Sequence, residues 1–208
     1  MLKTGTWIFT CSATSKVFGP HLGCLYGKRE LLLEAKSQYH YFFPEDDLAH
    51  KFNPAGPNHE SIAALVGIAD YFDILSEHHF ETPADNFAHR SRDLYELFAN
   101  HEETLAKQLL DFIESKKQIR LIGRTGHEKS LRVPTFSFQI DGVPSASVPP
   151  LVAQDNVAIS AGHFYAKRFL DSMELEDKEV VRCSMAHYNT RAEVEQLIQA
   201  LGRLLIHT

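Results

Sequence analysis

The spacing of hydrophobic residues along the chain predicts helices that alternate with strands. Apolar positions three, four and seven residues apart indicate amphipathic helices, and short apolar runs bounded by turn residues indicate strands. The predicted strands cover residues 7–11, 23–26, 119–123, 135–140, 157–159 and 181–187. The predicted helices cover residues 29–36, 60–75, 85–112, 148–154, 166–173 and 191–205. Strands that alternate with helices predict an α/β or α+β fold.

The helix that opens at Pro83 and Asp85 is the longest of these segments. A helix of this length usually joins two parts of a molecule, so we expect a domain boundary near His89. The two predicted domains are residues 1–88 and 89–208.

Charge and cysteine content narrow the function. The 208 residues carry 21 lysines and arginines against 27 acidic residues, a net charge of −6. No basic field is therefore expected to attract nucleic acid or an anionic membrane. The three cysteines show no C-x-x-C spacing, and the 12 histidines are scattered, so we expect reduced thiols and no metal site. The apolar run near the N-terminus is too short and too polar for a signal peptide or a membrane span, and we expect a cytoplasmic protein.

Lys16 is the first candidate for chemistry. It follows a predicted buried strand and precedes a Gly19-Pro20 turn. A desolvated amine at a strand end, beside hydroxyls and turn amides, is suited to capture a carbonyl cofactor as a Schiff base. The alternative is an ordinary loop lysine beside a turn, and spacing by itself favours that alternative.

Three sequence blocks favour a Schiff-base role for Lys16 over an ordinary loop lysine. The run S-K-V-F-G-P-H-L-G-C-L-Y-G at 15–27 resembles the cofactor-lysine segment of the class V aminotransferases, the pyridoxal-phosphate family that includes the cysteine desulfurases. FNPAGPNHE at 52–60 and VRCSMAHYNT at 181–190 are similar to two later blocks of that family, in the same order. RVPTFSF at 132–138 and SAGHFY at 160–165 also match by position. The resemblance covers nearly the whole chain but only the second half of the family's length.

The resemblance implies the C-terminal part of a pyridoxal-phosphate-dependent transferase fold. Residues 1–88 would be the end of the large domain, with the cofactor lysine, and residues 89–208 the small domain. Lys16 would form the Schiff base with pyridoxal 5'-phosphate and move the α-proton of the substrate. The hydroxyls that could bind the phosphate are those of Ser12, Thr14 and Ser15.

The resemblance also implies a homodimer. The loop Asn53 to Asn58 would reach the cofactor phosphate of the neighbouring subunit, with Gly56 where the family usually has a threonine. A backbone amide at Gly56 could still bind the phosphate.

Arg182 is the candidate for substrate binding. A guanidinium beside apolar strand residues needs an anionic partner, and the family uses this arginine to bind the carboxylate of a small amino-acid substrate. The alternative is a structural ion pair with an acidic residue. His163 is expected in a loop near the mouth of the cofactor site.

Two departures limit the predicted activity. Tyr165 stands where desulfurases with a Gly-His-His-Cys loop have the persulfide-forming cysteine, and a phenol cannot accept sulfur as a thiolate does. We therefore expect C–S lyase, transaminase or epimerase chemistry without persulfide transfer. In addition, the family residues that stack on and pair with the cofactor ring lie upstream of the lysine. The alternative hypothesis is thus a noncatalytic truncated remnant, or a module that pairs with a separate N-terminal half.

Overall fold

The chain consists of two compact units, Met1–Ser91 and Arg92–Thr208, which we call unit 1 and unit 2 and describe separately. The structure is a computed structural model and describes residues 9–38, 41–53, 55–175 and 177–206. The predicted domains, 1–88 and 89–208, stay a prediction.

Unit 1 consists of one β-hairpin and several helices. Strands β1 (Phe9–Ala13) and β2 (Gly23–Gly27) are antiparallel, and Ser12 lies opposite Cys24. The helices are α1 (Arg29–Glu34), α2 (Leu48–Lys51), α3 (His59–Ala63) and α4 (Val66–His79). A longer helix, α5 (Phe87–Ser115), begins in unit 1 and continues into unit 2.

Two predictions for unit 1 need correction. The strand predicted as buried over 7–11 is observed as Phe9–Ala13, with Thr10 half-buried and Cys11 exposed, and Trp7 lies outside the described residues. The single helix predicted over 60–75 is two helices, α3 and α4. Between them, hydrogen bonds join residues three apart rather than four, so the chain tightens beside Gly67, a residue with poor helix propensity.

A buried lysine organises part of unit 1. The side chain of Lys51 in α2 is 4% exposed, and its Nζ donates to the carbonyl oxygens of Leu33 (3.0 Å) and Glu45 (2.9 Å). The carboxylate of Glu45 lies 3.2 Å from the same Nζ. Because its donors are used inside the protein, Lys51 ties α2 to the end of α1.

Unit 2 is a four-stranded antiparallel sheet with helices. Its strands are β3 (Ile119–Ile122), β4 (Thr135–Ile140), β5 (Ser160–Gly162) and β6 (Val180–Ser184), in the spatial order β3-β4-β6-β5. Its helices after α5 are α6 (Val148–Ala153), α7 (Lys167–Asp171) and α8 (Arg191–Ile206). The predicted strand at 157–159 is wrong by three residues, since pairing with β6 begins at Ser160.

The two faces of this sheet differ. Side chains alternate along a strand, so Val181 and Cys183 of β6 enter the main core while Arg182 lies on the opposite face. The main core includes Leu105 and Leu109 of α5 and Leu201 of α8. A smaller cluster covers part of the opposite face and contains Leu170, Leu175, Val180, Ile122, Phe164 and Met173. The rest of that face is open around Arg182.

The predicted start of α8 is confirmed by its cap. The backbone N–H of Thr190 donates to the Glu193 carboxylate (2.6 Å), and the backbone N–H of Glu193 donates to the Thr190 hydroxyl (3.2 Å). This reciprocal pair is a capping box.

Among the helices that the structure describes, none has the length and apolar character needed to cross a membrane. Over the same residues, no group of three or more His, Cys, Asp or Glu side chains is placed to hold a metal ion.

Candidate active site

Most of the predicted site residues lie in two places, one in each unit, and Gly56 lies in a separate loop of unit 1. In unit 1, the segment from Thr14 to Leu22 links β1 to β2 and carries Lys16; we call it the lysine turn. In unit 2, Arg182 lies on the open face of the sheet with Ser137, Ser160 and Phe164 around it; we call this group the arginine face.

Thr14 holds the lysine turn together. A single 3-10 turn, Thr14–Lys16, follows β1, and the Thr14 carbonyl oxygen accepts hydrogen bonds from the N–H groups of Val17 and Gly19, both at 2.9 Å. The Thr14 N–H donates to the carbonyl of Leu22 (2.9 Å), and its hydroxyl donates to the carbonyl of Pro20 (2.6 Å). Four residues of the turn are thus hydrogen-bonded to one buried threonine.

The turn is also fixed against α4. A Cβ at Gly19 would lie 2.7 Å from Cδ1 of Ile68 and 3.0 Å from the Thr14 carbonyl oxygen, so no larger residue fits without a shift. Phe18 has a left-handed backbone, with φ 67°, and its ring contacts Tyr71 edge to face at 5.5 Å. Such a conformation is strained for a residue with a side chain and persists where packing holds it.

The lysine turn presents Lys16 to solvent. Lys16 is exposed among the described residues. The expectation that its amine is desolvated is therefore wrong for this part of the chain. Thr14 is 8% exposed and its hydroxyl proton is engaged by the Pro20 carbonyl. Ser12 is exposed and Ser15 half-buried, which leaves their hydroxyls the more accessible donors.

The residues present fit pyridoxal phosphate chemically. The cofactor requires an amine for its aldehyde and hydrogen-bond donors for its phosphate. Lys16 supplies an accessible amine, and Ser12 and Ser15 supply hydroxyl donors. Gly56 is exposed in its loop with open space where a Cβ would stand, so its backbone is accessible as well. The individual roles of these residues stay predictions.

In unit 2, Arg182 is half-buried and its guanidinium carbon lies 3.8 Å above the centre of the Phe164 ring. Strand register places Ser137 of β4 and Ser160 of β5 directly opposite Arg182, one on each side. Cross-strand partners share a face of the sheet, so both serines flank the guanidinium.

The guanidinium of Arg182 differs from the other half-buried arginines in its hydrogen bonding. Arg90 binds the Asp73 carboxylate, and Arg132 donates to main-chain carbonyls, including that of Thr135 at 2.7 Å. Within the described ranges, the guanidinium of Arg182 forms no hydrogen bond and no ion pair, and only the backbone of Arg182 is paired, in the sheet. The structural ion pair considered as an alternative is therefore not found there, and the N–H groups remain available to an external anion.

The loop that carries His163 and Phe164 has an unusual backbone. Gly162, Phe164 and Tyr165 have φ values of 144°, 47° and 62°. The Tyr165 N–H donates to Nδ1 of His163 (3.2 Å), which assigns the ring proton of a neutral His163 to Nε2. His163 is exposed and the Tyr165 side chain is fully exposed, whereas Phe164 turns inward to Arg182.

The three cysteines have different environments. Cys11 and Cys24 are exposed and, by strand register, lie on opposite faces of the hairpin. Cys183 is buried in unit 2, and burial raises the pKa of its thiol to about 12. A thiol with such a pKa stays protonated and is a poor nucleophile at neutral pH.

Sequence reasoning missed two of the residues that shape these sites. It considered Thr14 only as a phosphate ligand, although the residue closes the lysine turn. It did not consider Phe164, although an aromatic residue in an otherwise polar loop beside a strand was a usable signal.

The sequence blocks and the architecture are characteristic of one family. Residues 7–197 match the family model described as Aminotransferase class-V. The chain belongs to this family. The predicted resemblance is thereby confirmed.

Individual relatives of this class V aminotransferase chain agree. It is 36% identical over 192 residues to the aminotransferase-like protein FGM3 of Gibberella zeae, an alignment that covers 91% of this chain and 44% of that protein. It is 26% identical over 204 residues to a probable cysteine desulfurase of Pseudomonas putida, covering 94% of this chain and 45% of that protein.

A solved structure shows the same fold. The cysteine desulfurase CsdA of Escherichia coli superimposes with a TM-score of 0.70 at 21% identity, over 95% of this chain and 46% of that one. This confirms the predicted α/β fold, which is the C-terminal part of the pyridoxal-phosphate-dependent transferase fold. The chain spans a little under half the length of each of these three proteins.

Proposed function

We propose that this chain supplies the cofactor lysine and the substrate arginine of a pyridoxal-phosphate-dependent enzyme that acts on a small α-amino acid. The observation that carries the proposal is the lysine turn, in which a family-matched block is fixed by Thr14 and presents the amine of Lys16 outward. The alternative, that Lys16 is an ordinary loop lysine, explains neither the strained backbone at Phe18 nor the close approach of Gly19 to Ile68.

Each residue has a defined chemical role in this proposal. The Nζ of Lys16 would hold the cofactor at its aldehyde carbon, and as a free amine it would accept the proton from Cα of the amino acid. Arg182 binds the α-carboxylate through two parallel hydrogen bonds. Hydroxyls of Ser12 and Ser15 bind the phosphate. Pyridoxal phosphate, when bound, supplies the electron sink for the electrons left at Cα.

The proposed reaction does not transfer sulfur as a persulfide. Tyr165 occupies the position of the persulfide-forming cysteine, and its side chain is exposed. Cys183 is a buried thiol with a raised pKa. The exposed Cys11 lies in β1, before the lysine turn, and the exposed Cys24 lies in β2, after it. Transamination, C–S elimination and epimerisation all use the same lysine and arginine without a thiol.

We also propose a homodimer in which the loop around Gly56 binds the cofactor phosphate of the second subunit. Gly56 is exposed and unobstructed, as such a contact requires. A site that takes residues from two subunits needs the dimer for full occupancy.

A second candidate is a module that pairs with a separate N-terminal half and is inactive without it. The β1-β2 hairpin favours it, because the adjacent side chains Leu25 and Tyr26 point to opposite faces and are 50% and 56% exposed. Sheets of folded domains cover at least one face, so this hairpin has the character of a docking surface.

An activity assay separates the two candidates. The chain is incubated with pyridoxal phosphate and a set of L-amino acids, and release of ammonia or conversion of the cofactor to pyridoxamine phosphate is measured. The first candidate predicts turnover that Lys16→Ala abolishes, that Arg182→Gln lowers by about a hundredfold or more, and that the exposed-lysine control Lys117→Ala leaves unchanged.

Turnover that appears only after the N-terminal half of the Gibberella zeae relative is added would support the second candidate. Turnover that survives in Lys16→Ala would contradict both.

A further inference from the structure

The guanidinium carbon of Arg182 lies over the Phe164 ring, 3.8 Å from the ring centre, a distance that fits parallel stacking. Stacking on an aromatic face leaves the edge of a guanidinium, and therefore its N–H groups, directed away from the ring. A carboxylate approaches along that edge, where two parallel hydrogen bonds form. The contact thus restrains the guanidinium without using its donors.

The backbone at Phe164 is held in a conformation that side chains disfavour. Its φ of 47° follows Gly162 at 144° and precedes Tyr165 at 62°. Two hydrogen bonds close this loop, from the Tyr165 N–H to His163 Nδ1 and from the Ala166 N–H to the His163 carbonyl at 2.7 Å. Backbone strain of this kind persists at functional sites, where it fixes the direction of a side chain.

The surroundings of the stacked pair are polar on the remaining sides. Ser137 is half-buried and Ser160 exposed, and each lies opposite Arg182 in the sheet. Both hydroxyls can donate to an oxygen bound at the guanidinium edge. Phe164 itself packs against the Leu170 cluster, so its ring has a fixed support.

We propose that Phe164 is a positioning residue that holds the Arg182 guanidinium flat between Ser137 and Ser160 to receive the carboxylate of an α-amino acid. The inference rests on the proposed role of Arg182 and adds to it the residue that orients the guanidinium. It predicts that carboxylate affinity depends on an aromatic side chain at position 164, and not merely on an apolar one.

Nuclear magnetic resonance of the full chain tests the inference. The side-chain Nε–H signal of Arg182 is followed during titration with L-alanine, and L-alanine methyl ester serves as the probe without a carboxylate. Phe164→Leu keeps the apolar bulk and removes the ring, whereas Phe164→Tyr keeps the ring. Phe169→Leu, at an exposed position of α7, is the matched control.

The expected result has three parts. L-alanine, but not its methyl ester, shifts the Arg182 signal to saturation in the unmodified chain. Phe164→Leu weakens the affinity about three- to tenfold and moves the resting Arg182 signal, because ring shielding is lost. Phe164→Tyr and Phe169→Leu bind within about twofold of the unmodified chain, since both keep the stacked ring.

Two results overturn the inference in distinguishable ways. Because Arg182→Gln has no arginine signal, L-alanine binding to that variant is followed at the backbone amide of Ser160. If Phe164→Leu binds L-alanine as tightly as the unmodified chain, Phe164 has no positioning role. If Arg182→Gln at the same time loses the Ser160 response, Arg182 remains the carboxylate ligand. If L-alanine leaves the Arg182 signal unmoved, or if Arg182→Gln binds normally, the proposed function of Arg182 fails together with the inference.

Discussion

The hydroxyl of Thr14 donates to the carbonyl oxygen of Pro20 over 2.6 Å, across the turn that carries Lys16. This bond crosses the turn from its first residue to the proline that precedes β2, so the position of the lysine depends on it. Thr14 and Lys16 therefore form a pair in which one residue sets the geometry and the other supplies the amine.

Thr14→Val tests that relationship, because valine has nearly the same shape and lacks the hydroxyl. We expect a loss of about 0.5–1.5 kcal/mol in the unfolding free energy of unit 1, since the Pro20 carbonyl loses one of its two donors and keeps the Leu22 N–H. We also expect weaker cofactor binding, because the lysine turn loosens. Urea unfolding and a cofactor titration measure the two effects.

Ser12→Ala removes an exposed hydroxyl from β1 and serves as the control for stability. Equal unfolding free energies for Thr14→Val and the unmodified chain would show that the turn does not depend on this bond.

Gly56→Thr restores the side chain that the family usually has in this loop. The space around the Cβ position of Gly56 is open, so the fold should tolerate threonine. A new hydrogen bond to a charged phosphate should strengthen pyridoxal-phosphate binding about tenfold. The dissociation constant is measured by absorbance titration. Gly56→Ala, which adds Cβ without the hydroxyl, should bind like the unmodified chain, and an equal gain in both variants would contradict the proposed phosphate contact.

Thiol labelling tests the environments of the three cysteines. Cys11 and Cys24 are exposed, and burial raises the pKa of Cys183 to about 12. A chromogenic disulfide reagent at neutral pH should therefore label two thiols rapidly and the third only after the chain unfolds. Rapid labelling of Cys183 in the folded chain, located by peptide mass spectrometry, is the result that this environment does not allow.

The cap of α8 gives unit 2 a pH dependence at the acid end. A hydrogen bond from the backbone N–H of Thr190, and a second from its hydroxyl, hold the pKa of Glu193 below its usual range. A carboxylate with a lowered pKa stabilises the folded state above its unfolded pKa, and the contribution is lost as the pH falls through the folded value.

Glu193→Ala should therefore destabilise unit 2 at neutral pH, and the difference from the unmodified chain should shrink as the pH falls below 4.5, the ordinary pKa of a glutamate. Thermal unfolding at several pH values measures this. A difference that stays constant down to the lowest pH would show that the cap does not depend on the charge of Glu193.

Local patterns made much of unit 2 predictable. The strand predicted over 135–140 has the bounds of β4, and the helix predicted over 191–205 begins where α8 begins. Such features depend on residues close together in sequence. The family blocks identified the fold in a different way, because they resemble segments of the class V aminotransferases.

Tertiary relationships were not predictable in the same way. The contact between Phe164 and Arg182 joins residues 18 positions apart through a left-handed loop, and no periodic pattern encodes it. The burial of Lys51 depends on carbonyl groups from Leu33 and Glu45, which only the folded chain brings together. The exposure of Lys16 likewise depends on the folded turn and contradicted a prediction based on an apolar strand.

The central claim is that Lys16 is the amine that holds pyridoxal phosphate. The most direct measurement is borohydride reduction of the chain with the cofactor, followed by peptide mass mapping of the pyridoxyl group, in the unmodified chain and in Lys16→Ala. The account predicts one stoichiometric adduct on Lys16 and its loss in the variant. An adduct distributed over surface lysines, or the same yield in Lys16→Ala, would contradict it.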